Sequence, residues 1–290
     1  MAKTTAAMVK QLREMTGAGM MECKKALDEA DGDITEAVDV LRRAGEASAV
    51  KKADRATNEG TILALVSDDA AKAALVELDC ETDFVGENAK FAGYARRIAQ
   101  TIIDQNPADV DALRALKEEN GDTIDALLIE AIHTLGENIK LPRFARMETS
   151  HGAIASYIHG AGKIGVLVQF DLADPQIAAK DEFKQYGRNI AMQVAAAAPV
   201  AVTRDEVDPA IVEHEMGIYK AQAADSGKPE AIQEKIATGR MEKFYRGSVL
   251  NEQEYVKDSD QTISQYTKAT ADALGSAIKI VAIKRFLLGE

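Results

Sequence analysis

Residues Glu77–Asn88 read ELDCETDFVGEN, a strand-like run that ends by delivering a carboxylate and a phenyl ring side by side into a turn. Upstream, Ala73–Leu78 is apolar enough for a buried strand. Downstream, Asn88 stands in a helix-cap position ahead of Phe91, Ala95, Ile98 and Ile102 at helical spacing. Asp83 and Phe84 therefore sit at a strand-to-helix corner. Two readings of that corner stand open. In one, Thr82 or Asp83 caps the turn and Phe84 folds back into the core, the ordinary fate of a lone large aromatic. In the other, the pair projects as a tip made to enter something else.

Working outward, Thr61–Val66 and Ala73–Leu78 flank an Asp68-Asp69 turn, which predicts a hairpin. Two helices follow and end near Leu135-Gly136, the second amphipathic through Ile124, Leu127, Leu128, Ala131, Ile132 and Leu135. A related order then returns: a strand near Arg143–Met147, a hairpin over Ala153–Asp171 turning through HGAGKIG, and a helix over Asp181–Ala197. Upstream of the corner, Met8, Leu12 and Met15 share one helical face. Met20, Cys23, Leu27 and Ala30 mark a second helix, and Ile34, Ala37, Val38 and Leu41 a third. Glu46–Arg55, rich in Ala and Lys, reads as a helical tether.

Beyond Pro199, the capping-box spacing of Thr203 and Glu206 with Pro209 predicts a helix to about Ala224. SGKP breaks it, and a second helix over Glu230–Tyr245 folds back, with Ile232 and Ile236 facing Val212, Met216 and Tyr219. A helix near Ile263–Leu274 and a strand over Ile278–Ile283 close the second sheet. The predicted class is α+β: an N-terminal bundle and tether (1–55), a first core half (56–148) and a second core half (149–290), each half built on an antiparallel sheet, with an antiparallel helical hairpin (199–248) inserted in the second.

Composition narrows the function. No run of about eighteen apolar residues suggests a membrane span and no secretory leader is evident, so a cytoplasmic protein is expected. Cys23 and Cys80 form no CxxC pair, and His133, His151, His159 and His214 are dispersed, with no HExxH or GxSxG. Catalytic residues, metals and cofactors are therefore expected to be absent. Gly162-Lys163 is not a Walker loop, because Tyr157 and Ile164 stand where Gly and Ser or Thr are needed. That loop reads as a tight turn, and His159 at its mouth as either a turn hydrogen-bonder or a contact residue. A net charge of −12 speaks against direct nucleic-acid binding and favours protein partners.

LREMTGAGMMECKKAL and ELDCETDFVGEN closely resemble the two signature stretches of the bacterial elongation factor Ts family, and YIHGAGKIGVLV and SGKPEAIQEKIATGRMEKFY resemble its later blocks in the same order. The resemblance implies a guanine-nucleotide exchange factor for elongation factor Tu, a non-enzyme, with a ubiquitin-associated-like N-terminal bundle that grips the GTPase. Arg13, Met20, Met21 and Lys24 match the gripping stretch. Asp83 and Phe84, flanked by Thr82 and Val85, match the residues that intrude beside the partner's magnesium and phosphate site. His159 matches a second-half contact, and residues 199–248 the family's dimerisation module, implying self-association. Asp79 and Glu81 stand where uncharged amides are usual, which implies a more acidic tip. The competing readings are a binding scaffold that uses only its small bundle, and a nucleotide-site enzyme. The Asp83–Phe84 tip discriminates against the scaffold and the missing phosphate loop against the enzyme.

Overall fold

The computed structural model describes residues 4–225 and 227–290, and it is a mixed helix-and-strand protein with small antiparallel sheets. Three helices open the chain. Thr5 caps α1 (Ala6–Thr16) by accepting from the Met8 amide, and Gly17 ends it in the left-handed region at φ 68°. Glu22 reaches back to the Gly19 amide to start α2 (Met20–Glu29), and Asp33 caps α3 (Ile34–Lys52). Leu12, Cys23, Leu27, Ala37 and Leu41 make their shared core. Residues 46–52, expected as a tether, are the last turns of α3.

The first sheet pairs β1 (Glu59–Val66), β2 (Lys72–Cys80) and β3 (Lys140–Glu148) in that order. Between β2 and β3 run the single turn α4 (Asp83–Gly86), then α5 (Ala89–Gln105), α6 (Val110–Ala115) and α7 (Ile124–Leu135). The second sheet pairs β4 (Gly152–His159) and β5 (Ile164–Leu172) with the last strand of the chain. Between β5 and that strand lie α8 (Asp181–Ala197), α9 (Pro209–Ala224), α10 (Glu230–Ser248), the small ribbon β6 (Glu254–Tyr255) and β7 (Asp258–Thr262), and α11 (Ile263–Leu274). The closing strand is β8 (Ile278–Leu287).

Successive side chains of β2 leave opposite faces and both faces are covered, which explains why Ala73–Leu78 is apolar at every position but Glu77. Ala74, Val76 and Leu78 meet α5 and α7 on one face, through Phe91, Ile98, Ile102, Leu127 and Leu128. Ala73 and Leu75 face the other way and join Ile62, Met147, Ile154, Leu167 and Phe286 in a core between the two sheets. The outer face of the second sheet carries α8, with Val166, Val168 and Phe170 against Phe183, Tyr186 and Ile190. The sheets therefore stand back to back with helices outside both. Glu77, only 2% exposed, closes one end of the seam: its carboxylate takes Arg143 Nε at 2.5 Å and the Gly289 amide at 2.9 Å, while Arg143 lies 4.4 Å from the Phe286 ring centroid.

In the helical pair, α9 begins later than the capping-box spacing suggested. Thr203 and Glu206 do form a box, but it closes a separate 3₁₀ turn, and Asp208 caps α9 ahead of Pro209. Of the SGKP break, Ser226 lies outside the described residues. Val212 gathers with Phe244 and Tyr245 on Ala201, Val207 and Val249 at the base of the pair, and Ile232 is 45% exposed. Arg204 fastens that base, pairing with Glu242 at 2.8 Å and with Glu252, and lying 4.5 Å from the Tyr245 ring centroid.

Candidate functional site

At the end of β2 the chain turns through Thr82, whose hydroxyl oxygen accepts from the Val85 amide and starts α4. The Asp83 carboxylate accepts from the amide of Phe84 at 2.9 Å, a bond that fixes the acid beside the ring. Phe84 is 85% exposed, so the reading that folds it into the core does not hold. Val85 instead turns inward and packs on the first core.

What holds this turn comes from far along the chain. Glu137, just past the end of α7, accepts from the amides of Glu81 and Thr82 at 3.0 Å each, and from the Thr82 hydroxyl at 2.6 Å. In return, Glu81 accepts from the Asn138 amide at 2.7 Å and faces Arg55 at 3.4 Å, while the Asn138 side chain donates to the carbonyls of Ala53 and Arg55. Two short segments thus grip each other through charge-assisted bonds. Glu81, expected to make the tip more acidic, is turned to this clamp. Asp79 is half-buried with one carboxyl oxygen unpartnered, and burial, then the charge of Glu77, pushes its pKa up to about 6 against the pull of Arg143 and Lys140.

From behind, Gly86 lies against the Gly60 peptide, where an added Cβ would come within 3.1 Å of the Gly60 oxygen. The same stretch of β1 holds the β4–β5 turn. The Ile62 amide donates to the Gly162 carbonyl at 2.7 Å, Lys163 pairs with Glu59, and a Cβ on Gly162, at φ 92°, would stand 2.1 Å from Thr61 Oγ1. Residues 59–62 are therefore a common footing for the Asp83–Phe84 corner and for His159, which ends β4 in an exposed position.

The remaining expected residues lie on the bundle. Arg13 and Lys24 are exposed, as are Met20 at 61% and Met21 at 65%. Met15 and Met20, assigned from helical periodicity to inward faces, point outward, while Leu12, Cys23 and Leu27 fill the interior. The bundle is tied to the core by Arg42–Asp122 at 2.7 Å and by the Lys52 ammonium at the end of α3, which donates to the Ile132 carbonyl at 3.4 Å. Structure thus joins the corner and the His159 turn on β1 and carries the other four residues on α1 and α2. The corner's supports, Glu137, Asn138 and Gly60, were missed because each is an ordinary residue type whose role exists only after the chain has folded. Among the described residues, no helix is long and apolar enough to cross a membrane, and no group of three His, Cys, Asp or Glu is placed to hold a metal ion.

A family model described as Elongation factor TS matches residues 81–290. Several curated proteins named Elongation factor Ts are similar over nearly the whole chain. That of Trichlorobacter lovleyi is 43% identical over 288 residues, 99% of this chain and 93% of the relative. That of Clostridium kluyveri is 44% identical over 288 residues, covering 99% of this chain and 93% of its own. That of Desulfovibrio desulfuricans is 43% identical over 290 residues, 99% of each chain.

Proposed function

The chain belongs to the elongation factor Ts family, and from that premise we propose that it is a guanine-nucleotide exchange factor. It binds the GDP form of the GTPase elongation factor Tu, promotes GDP release and so allows GTP to enter. The observation that carries this reading is the corner: a phenyl ring 85% exposed on a turn held by Glu137 and backed by Gly60.

A GTPase holds its nucleotide through backbone amides, a lysine and a magnesium ion, so a small displacement of the loops or of the metal weakens many contacts together. Phe84 acts as the wedge. Its burial in a cleft that opens only in the nucleotide-poor form is worth about 2 kcal/mol. Asp83 brings a negative charge beside the site, where it competes for the partner's donors. Because the clamp orders the turn beforehand, little conformational freedom is lost on docking. Thr82 and Val85 serve as supports for the tip. Arg13, Met20, Met21 and Lys24 supply the grip, since thioethers on flexible stems adapt to a partner surface and the two cations add charge. Coupling is reciprocal: whatever free energy weakens nucleotide binding reappears as weaker binding of this protein to the nucleotide-bound GTPase. No covalent bond is made or broken, so the protein is no enzyme, and its place of work is the cytoplasm.

The test is release of labelled GDP from elongation factor Tu, with this protein at substoichiometric concentration. Accelerated, repeated turnover is expected, while equilibrium dialysis shows no GDP or GTP bound by this protein alone. Binding to the GTPase without faster release would favour the scaffold reading instead.

A further inference from the structure

The turn that presents His159 has a neighbour to which the exchange reading gives no task. Tyr157 and His159 are two apart on β4, so their side chains leave the same face of the sheet. The Tyr157 hydroxyl lies 3.1 Å from His159 Nδ1, and the two rings, 6.0 Å apart between centroids, are inclined at 31°. Tyr157 is itself anchored. Its ring is half-buried against the second core, and the guanidinium carbon of Arg188, on α8, lies 5.5 Å from its centroid. An anchored phenol thus reaches out to an exposed imidazole.

We propose that Tyr157 is a positioning residue for His159: its hydroxyl donates to Nδ1, fixes the ring in its Nε2–H form, and leaves that N–H as the donor offered to a carbonyl or carboxylate on the partner. The proposal rests on the reading of His159 as a partner contact. A neutral imidazole has one bare nitrogen and one N–H, and the bond made at one nitrogen decides what the other can do. Without the phenol, the ring is divided between two tautomers and free to turn, and both freedoms are lost on binding. Arg188 acts one step further back by holding the Tyr157 ring.

Tyr157→Phe keeps the ring on the core and beside Arg188 while deleting only the hydroxyl. Long-range ¹⁵N spectra of the free protein, taken where His159 is neutral, are expected to show the Nε2–H tautomer in the parent and a mixture in the variant. GDP release should slow by about threefold with an unchanged melting temperature, the size expected when one neutral hydrogen bond loses its alignment. His159→Gln, which can place an amide N–H where Nε2 stood, should retain more activity than His159→Asn, whose N–H falls nearer Nδ1. An Nδ1–H tautomer in the parent, or an unaltered tautomer and release rate in Tyr157→Phe, would overturn the proposal. Normal release by His159→Ala would overturn it through its premise, and is distinguishable because the spectra are read without the partner.

Discussion

A solvent-facing phenyl ring on a turn that is hydrogen-bonded from several sides separates fold from function at a single position. Phe84 at 85% exposure fills no cavity, so Phe84→Ala should leave the melting temperature nearly unchanged, where a core phenylalanine would cost about 3 kcal/mol or more. GDP release should nevertheless slow about tenfold or more, since a loss of about 1.4 kcal/mol in the nucleotide-free complex carries that factor. A large melting drop, or unchanged release by folded variant, would end the wedge reading. Asp79, at the foot of the same corner, makes the opposite kind of prediction. Burial, reinforced by Glu77, raises its pKa to about 6, above the unfolded-state value. The stability linked to its proton is therefore complete below about pH 4 and is lost as pH rises through the folded-state value. Asp79→Asn cannot ionise. It should be more stable than the parent at about pH 8 by about 1 kcal/mol, a figure reduced for a site only half-buried, with the difference vanishing near pH 4. Urea unfolding at the two pH values reads this directly, and an equal difference at both would refute it.

Among the elements, what could be read from residues 77–88 was whatever depends on near neighbours. The strand, the turn at Thr82 and the Asn88 cap follow from periodicity and local hydrogen bonding, and the structure has all of them. Glu81 was misread because its partner, the Asn138 amide, is 57 positions away and nothing in either segment announces the other. Periodicity likewise could not tell which side of the thin N-terminal bundle Met15 and Met20 would occupy, because helices this short leave apolar residues on more than one face. At Thr203 and Glu206 the local pattern was satisfied, but by a separate turn ahead of α9. The clamp itself is open to test. Glu137→Ala removes the acceptor of three bonds to Glu81 and Thr82 without touching Asp83 or Phe84. Losing charge-assisted bonds at a half-buried site should cost about 2 kcal/mol locally. Amide hydrogen exchange at 81 and 82 should accelerate, and GDP release should slow several-fold, because the ring must now be ordered during docking. If those amides lose protection while release stays normal, preorganisation of the corner is not what matters.

At the scale of the whole molecule, the back-to-back sheets make one body of the corner and the His159 turn, because both stand on residues 59–62 of β1 and the seam behind them is closed by Glu77, Arg143 and Phe286. The α9–α10 pair has a different character. Its described interior is thin, consisting of Ala223, Ala237, Met241 and the small cluster at its base, while Ile211 and Ile218, seven apart on α9, and Ile232 on α10 remain exposed. Residues seven apart lie on one face of a helix, so α9 carries a stripe whose two isoleucines remain more than a third exposed among the described residues. Isolated exposed isoleucines are ordinary, but an aligned pair on a projecting element fits the self-association expected of residues 199–248. Replacing Ile211, Ile218 and Ile232 together by Gln should leave the melting temperature within about 3 °C, as substitutions of exposed residues away from packed sites do. It should also shift the sedimentation equilibrium of the isolated protein toward monomer. An association state identical to the parent's across the same concentration range would show that this stripe does not join two copies.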